Sequence, residues 1–309
     1  MRGREVPRRT NNEIEQLREG RTPRYDPGVK DSVLRAITND GAFRVVVAKT
    51  TNTVRGAVEA QRASGETAKR FGELLTGSVL FRETMAPNLR VQGILKAAGG
   101  GGSLVADSHP SGSTRGLVQL KTESALRVED GALLQLMRSL PGGRINQGVI
   151  EVPEGGGISE ALMAYMQISE QVVSMISVGT VMDTGGVQSA GGYMVQLLPE
   201  VDRGALMVMT ERLQDFKSID RELRDAAFTP EWLMDQLLYG MEFTRLEESN
   251  VDFDCWCDEL RLVSALATLS KDEIRSLIED GEVLEITCDY CGEEYRIAPA
   301  QLQGLLDPS

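Results

Sequence analysis

The four cysteines of this chain, Cys255, Cys257, Cys288 and Cys291, all lie between positions 255 and 291, so no disulfide can staple the first 250 residues. Everything upstream must be held by a buried apolar core. A length of 309 residues with 41% hydrophobic content suffices for one large domain plus smaller ones. The cysteines serve one local purpose. Cys255-Trp256-Cys257 and Cys288-Asp289-Tyr290-Cys291 form two close pairs, and four thiolates so arranged suit tetrahedral Zn2+. A Cys-x-x-Cys turn aims both of its sulfurs at one point. The spacing predicts one zinc ion per chain, tying together a region of roughly 50 residues too small to be fixed by its own core.

Spacing alone describes a structural zinc. The first pair has one intervening residue where zinc ribbons usually have two, which marks the site as unusual without assigning it a role. Zinc keeps its sulfurs as thiolates, the form that peroxide or hypochlorous acid attacks. Oxidation would remove the ligands, expel the metal and take away the energy that folds the region.

The net charge of -13 is unevenly placed: residues 201–309 hold 10 Lys+Arg against 25 Asp+Glu, or -15, while residues 1–200 are nearly balanced at 23 against 21. A field of that sign repels phosphates, which excludes a nucleic-acid role for the zinc region and leaves basic or partly unfolded protein surfaces as partners. No apolar run is long enough for a membrane span, and Met1–Tyr25 lacks the apolar stretch of a secretory signal. A cytoplasmic location is therefore expected. The same stretch has seven arginines but also four glutamates and no serine, unlike a transit peptide, so residues 1–30 read as a disordered polar extension.

From Asp31 the signals are those of an α+β domain reaching to residue 200. Val33–Thr38 and Phe43–Ala48 read as strands around an Asn39-Asp40-Gly41 turn. Residues 52–84 read as two helices. Strands are expected at Leu89–Leu95, Arg115–Leu120, Gly148–Val152, Val172–Met182 and Tyr193–Leu198, and helices at Leu133–Leu140 and Ser159–Gln171. Without regular βαβ alternation, a mixed and largely antiparallel sheet is predicted. Residues 201–250 read as an acidic helical linker, in which Thr229 is the N-cap, Pro230 the first helical residue, and Phe228 a staple onto Leu233. Residues 251–309 form the small zinc-binding domain. Within it Ser270 and Glu273 make a capping box, Gly281 ends the helix, and Val283–Thr287 and Glu294–Ile297 flank the second cysteine pair as a hairpin.

Other candidates are weak. His109, the single histidine, sits in a Gly/Ser/Pro-rich stretch without a Gly-x-Ser-x-Gly elbow and reads as a loop residue. Gly99–Gly102 lacks the Gly-Lys-Ser/Thr ending of a P-loop and reads as a hairpin connection. The methionines at 163, 166, 175, 182, 207 and 209 read mostly as core, although such residues also suit promiscuous binding surfaces. Trp256 and Tyr290 are placed to shield the sulfurs. Asp254, Asp258, Asp289 and Glu293 read as a solvated face. No general acid/base set is visible, so an enzyme is not expected.

The stretch VDFDCWCDELRLVSALATLSKDEIRSLIEDGEVLEITCDYCGEEYRI resembles the zinc-binding end of the heat-shock protein 33 family, which are redox-regulated holdase chaperones. ISEALMAYMQISEQ at Ile158–Gln171, SAGGYMVQLLPE at Ser189–Glu200 and the start DSVLRAITNDGAFRVVVAKTT are similar to further blocks of that family, so the likeness covers about Asp31 to Leu306. Arg115-Gly116-Leu117 departs from the family's frequent Arg-Gly-Tyr, the Gly99–Gly102 run is unusual, and the first 30 residues are an extension. The resemblance implies an inactive, reduced, zinc-bound form in which Cys255 pairs with Cys257 and Cys288 with Cys291 on oxidation. Zinc then leaves and the linker unfolds. The activated protein, often a dimer in that family, holds unfolding clients without ATP. A zinc-stabilised interaction adaptor without redox switching is the alternative.

Overall fold

The computed structural model describes residues 30–85, 88–121, 126, 128, 131–140 and 142–306. The expected disorder of the N-terminal extension lies outside the described residues. The hairpin β1 (Asp31–Thr38) and β2 (Phe43–Lys49) closes as its turn chemistry dictates. Gly41 takes φ +72°, and the Asp40 carboxylate accepts from the backbone N–H of Ala42 at 3.0 Å. Helices α1 (Thr51–Ala60) and α2 (Gly65–Glu83) follow, and α2 is buried along nearly its whole length. Next come β3 (Val91–Lys96), β4 (Gly102–Ser108), β5 (Ser113–Leu120), β6 (Leu133–Ser139) and β7 (Ile145–Glu151). The glycine run does join β3 to β4 as a hairpin, with Gly99 and Gly100 both at positive φ. Helix α3 (Ile158–Ser169) leads into β8 (Ser174–Asp183) and β9 (Gly186–Leu197).

The segment Leu133–Leu140, predicted helical, is strand β6. Leu, Gln, Met and Arg favour a helix, but Leu134 and Leu136 point into the core at alternate positions, and β6 pairs with both β3 and β7. Tertiary pairing outweighs propensity here.

The linker begins as expected with α4 (Arg203–Asp215), α5 (Asp220–Leu223) and α6 (Pro230–Leu237). Thr229 caps α6 by accepting from the N–H of Trp232 at 3.2 Å, and Phe228 and Leu233 share one buried cluster. Its end departs from the helical expectation: β10 (Phe243–Arg245) and β11 (Ser249–Phe253) are strands. Val251 and Phe253 alternate with Asn250 and Asp252, a period of two too short to stand out among the acidic residues. The last region folds as α7 (Glu259–Leu266), α8 (Lys271–Glu279), the hairpin β12 (Leu284–Thr287) and β13 (Glu294–Ile297), and α9 (Pro299–Gln303). Ser270 and Glu273 form the capping box of α8.

Among the described residues eleven strands form one sheet in the order β7-β6-β3-β4-β5-β11-β1-β2-β9-β8, with β10 also on β1. Every pairing is antiparallel except that of β11 with β5, so the sheet is mixed and largely antiparallel as the sequence indicated. Strand β2 shows the layering. Val46 and Ala48 join the core under α1 to α3, whereas Phe43, Val45 and Val47 join a second core under the linker helices. Each fully buried Val, Leu or Phe contributes roughly 1.5–3 kcal/mol, so these two cores carry the fold. Met166 and Met209 are buried and Met163, Met175 and Met182 partly so, as the core reading expected, while Met207 is exposed.

Stability is unevenly shared. Helix α4 buries only Met209, α7 buries nothing, and the third core has just Ile274, Ile297 and Leu302 fully inside. A cluster that small cannot hold a region of roughly 50 residues without a further cross-link.

Candidate metal centre

Residues Asp254–Asp258 carry the first cysteine pair out of the sheet from the end of β11, and the β12–β13 hairpin carries the second pair at its tip. The tip is a tight turn: the Cys288 N–H donates to the Glu293 carbonyl and the Gly292 N–H to the Cys288 carbonyl, each at 2.8 Å. Gly292 has φ +74°, which a side chain would strain.

The four sulfurs lie within 4.8 Å of one another, with Cys255 to Cys288 at 3.8 Å and Cys257 to Cys291 at 3.4 Å. A tetrahedral metal with bonds of about 2.3 Å to sulfur sets its ligands about 3.8 Å apart. The donor set therefore fits a thiolate-preferring ion, and the four residues singled out by spacing are brought together. As free thiols they are unequal. Cys255 is drawn down to about 5, first by its hydrogen bond with Cys291 and also by the Arg115 guanidinium; burial pushes Cys257 up to about 11. Cys291 is pushed up by the same bond to Cys255 and by burial. Of these three thiols, Cys255 gives up its proton most readily.

The sheet side of the site was not legible in the sequence. Arg115, on the helix-free face of β5, donates from Nη1 to Cys255 Sγ at 3.2 Å. Its guanidinium lies 3.9 Å from the Trp256 ring centroid and 3.9 Å from that of Tyr290. The two aromatics thus flank a cation that itself touches the Cys255 sulfur. Asp107, fully buried on β4, holds that cation in place by accepting from Arg115 Nε at 3.3 Å and from both Nε and Nη2 of Arg90 at 2.6 Å. His109 is in the β4–β5 turn, bonded to Ser111, with its ring 5.4 Å from that of Trp256.

A second hold comes from the residue that caps the C-terminus of α1. Gln61 Nε2 donates to the carbonyls of Asp289 at 2.7 Å and Tyr290 at 3.0 Å, while its Oε1 accepts from the Val118 N–H. Tyr295 donates to Cys257, at 3.1 Å from its carbonyl and 3.2 Å from its sulfur. The acidic neighbours serve locally: Asp258 caps α7 and Asp254 accepts from Ser113. In the sequence Arg115 stands out only through Leu117, two positions later, which departs from the family pattern, and no spacing rule points to it.

The match to known proteins decides the family. The family model described as Hsp33 protein matches residues 31–298. The chain belongs to the Hsp33 family. It is 29% identical over 293 residues to the 33 kDa chaperonin of Desulforamulus reducens, covering 90% of this chain and 98% of that one. The 33 kDa chaperonin of Geobacter sulfurreducens is likewise 29% identical, over 295 residues and 96% of its length. A crystal structure of the Hsp33 homologue from Thermotoga maritima shares the fold with a TM-score of 0.77 at 22% identity, covering 90% of this chain and 98% of that chain. Membership of Hsp33 makes this a chaperone family member with four clustered cysteines. No helix among the described residues is long and apolar enough to cross a membrane.

Proposed function

We propose that this protein is an ATP-independent holdase switched by oxidation, with one zinc ion held by Cys255, Cys257, Cys288 and Cys291 in the reduced, inactive state. The observation that carries this reading is the position of the sulfur cluster. It cross-links a region whose own small core has only three fully buried residues among partly exposed ones, and it begins two residues after the strand that completes the sheet. Bound zinc would supply that cross-link and keep all four sulfurs as thiolates.

Hydrogen peroxide oxidises two thiolates to one disulfide. Two electrons pass to the peroxide, its O–O bond breaks, and two protons complete two waters. Repeated once, this consumes all four donors, and the family likeness assigns the products as Cys255–Cys257 and Cys288–Cys291. Close approaches also run across the pairs, Cys255 to Cys288 at 3.8 Å and Cys257 to Cys291 at 3.4 Å, so the pairing is an outcome to be mapped chemically. With its donors gone the cage opens, and the linker loses the anchor at its C-terminal end. Helix α4, with a single buried side chain, then has little to keep it folded. Leu206, Met207, Val208 and Tyr239 already reach solvent and supply apolar surface for unfolding polypeptides.

The test is peroxide with mild heating. It should release about one zinc per chain and switch on suppression of aggregation in the same sample, and disulfide mapping should return the two assigned pairs. Metal that stays bound while aggregation is suppressed, or metal release without suppression, would refute the switch. The latter result would favour a zinc-stabilised adaptor.

A further inference from the structure

Strand β11 fills a gap. Among the described residues it is the link between two half-sheets, β7-β6-β3-β4-β5 on one side and β1-β2-β9-β8 on the other. On the β1 side Asp31, Ser32 and Val33 pair with Val251, Asn250 and Ser249. On the β5 side Ser113 and Thr114 pair with Asp252 and Phe253.

The gap is shaped for a strand. A Cβ on Gly112 would come within 2.2 Å of the Asn250 carbonyl oxygen, so the backbone of β11 approaches there as only a glycine allows. A Cβ on Gly56 of α1 would lie 2.7 Å from the Phe253 ring, so this glycine is a notch that admits a large apolar side chain. Val251, two residues earlier, is 3% exposed. The slot thus takes apolar side chains at alternate positions and satisfies backbone groups on both sides.

The walls of the slot are joined by more than β11, although Val251 and Phe253 pack into the same core. Phe71, Leu74 and Leu75 of α2 belong to one core with Val46 of β2 and Leu104 of β4, one residue from each half-sheet. Removing β11 leaves two facing strand edges over a helical floor. The strand is held at its far end by the sulfur cluster and the Arg115 stack, beginning at Cys255.

We infer that the slot between β1 and β5 is a seat for client polypeptide: an extended segment with apolar residues at alternate positions replaces β11 once the sulfur cage opens. This rests on the holdase reading above. In the closed state β11 occupies the seat as a tethered competitor whose effective concentration no dilute client can match. Opening the cage frees the far end of the tether and lets an external strand compete. Pairing through backbone groups accepts many sequences, and the Gly56 notch selects one large apolar side chain within them.

A photoreactive benzoylphenylalanine placed at Ser113 of the full chain tests this, with a second chain carrying it at Gln135 of β6 as control. The probe is a labelled peptide copying residues 249–254. With metal bound, Ser113 should yield no peptide adduct. After metal removal by chelator and peroxide it should yield a several-fold excess over Gln135. The same peptide, but not one with Val251 and Phe253 both changed to Asp, should compete with an unfolded reporter protein for protection. No excess adduct at Ser113 after verified metal release overturns the slot, even if aggregation is suppressed. Adduct without any protection of the reporter overturns the holdase reading instead.

Discussion

Arg115 donates a hydrogen bond to the sulfur of Cys255 across 3.2 Å, joining two residues 140 positions apart in the chain. One guanidinium therefore belongs to the sheet, through Asp107, and to the sulfur cluster. Neither can move without disturbing the other.

Replacing Arg115 with Met should weaken metal retention by about tenfold, roughly 1.4 kcal/mol, from the lost cation–π contacts and charged hydrogen bond. Arg115→Lys should restore only part of it, because an ammonium cannot stack flat between Trp256 and Tyr290. Competition with a chromogenic chelator under reducing conditions measures both. Affinity equal to that of the unchanged protein in the Met variant would show that the stack does not support the site.

Cys288→Ser should abolish stoichiometric metal binding and leave the region from Asp258 onward open to protease while the N-terminal sheet stays resistant. Cysteine 288 is the most buried of the four sulfur residues, and the core around it is too small to compensate. Metal analysis combined with limited proteolysis reads both effects, and full metal content in the variant would dismiss the site.

Thr229→Ala removes the N-cap of α6 and should cost about 1 kcal/mol of linker stability. Metal content should not change, since the residue lies far from the cysteines in the chain. Hydrogen exchange within 230–237 should quicken in the reduced protein, and activation should require less heating at the same peroxide concentration. A linker of unaltered exchange would argue that α6 is held by its buried face alone.

Burial raises Glu73 of α2 from 4.5 to about 7, against the opposing pull of Arg70 at 2.9 Å. Its folded value lies above its unfolded value, so the folded state holds the proton more tightly. The stability this contributes is complete below pH 4.5 and is lost as pH rises through about 7. Glu73→Gln should therefore be more stable than the unchanged protein at pH 8, by an amount on the order of 1–3 kcal/mol, and nearly equal to it at pH 5. Urea unfolding of the reduced, metal-bound protein at the two pH values gives the comparison. A gap of the same size at both would mean that Glu73 does not titrate with folding.

What the sequence made legible depended on local signals. The β1–β2 hairpin, the caps at Thr229 and Ser270 and each of the two cysteine pairs are written within a few residues, so position alone identifies them. Strand β6 was hidden because its leucines suit either a helix or a strand, and only its neighbours β3 and β7 decide. The acidic residues around Val251 and Phe253 concealed β11 in the same way. The socket of Arg115, Asp107, Arg90 and Gln61 was illegible for a deeper reason. Its members come from three strand ends and a helix, and no spacing in one dimension records that meeting.

The placement of β11 also governs the order in which the molecule can be made. Its partners β1 and β5 emerge early in synthesis, whereas Ser249–Phe253 emerges only after the linker helices. Until then the growing chain carries two half-sheets with facing edges unpaired, a state prone to misassociation. Joining them requires contacts of high sequence separation, which form slowly. The seam between the half-sheets is therefore the last part of this sheet that synthesis can complete.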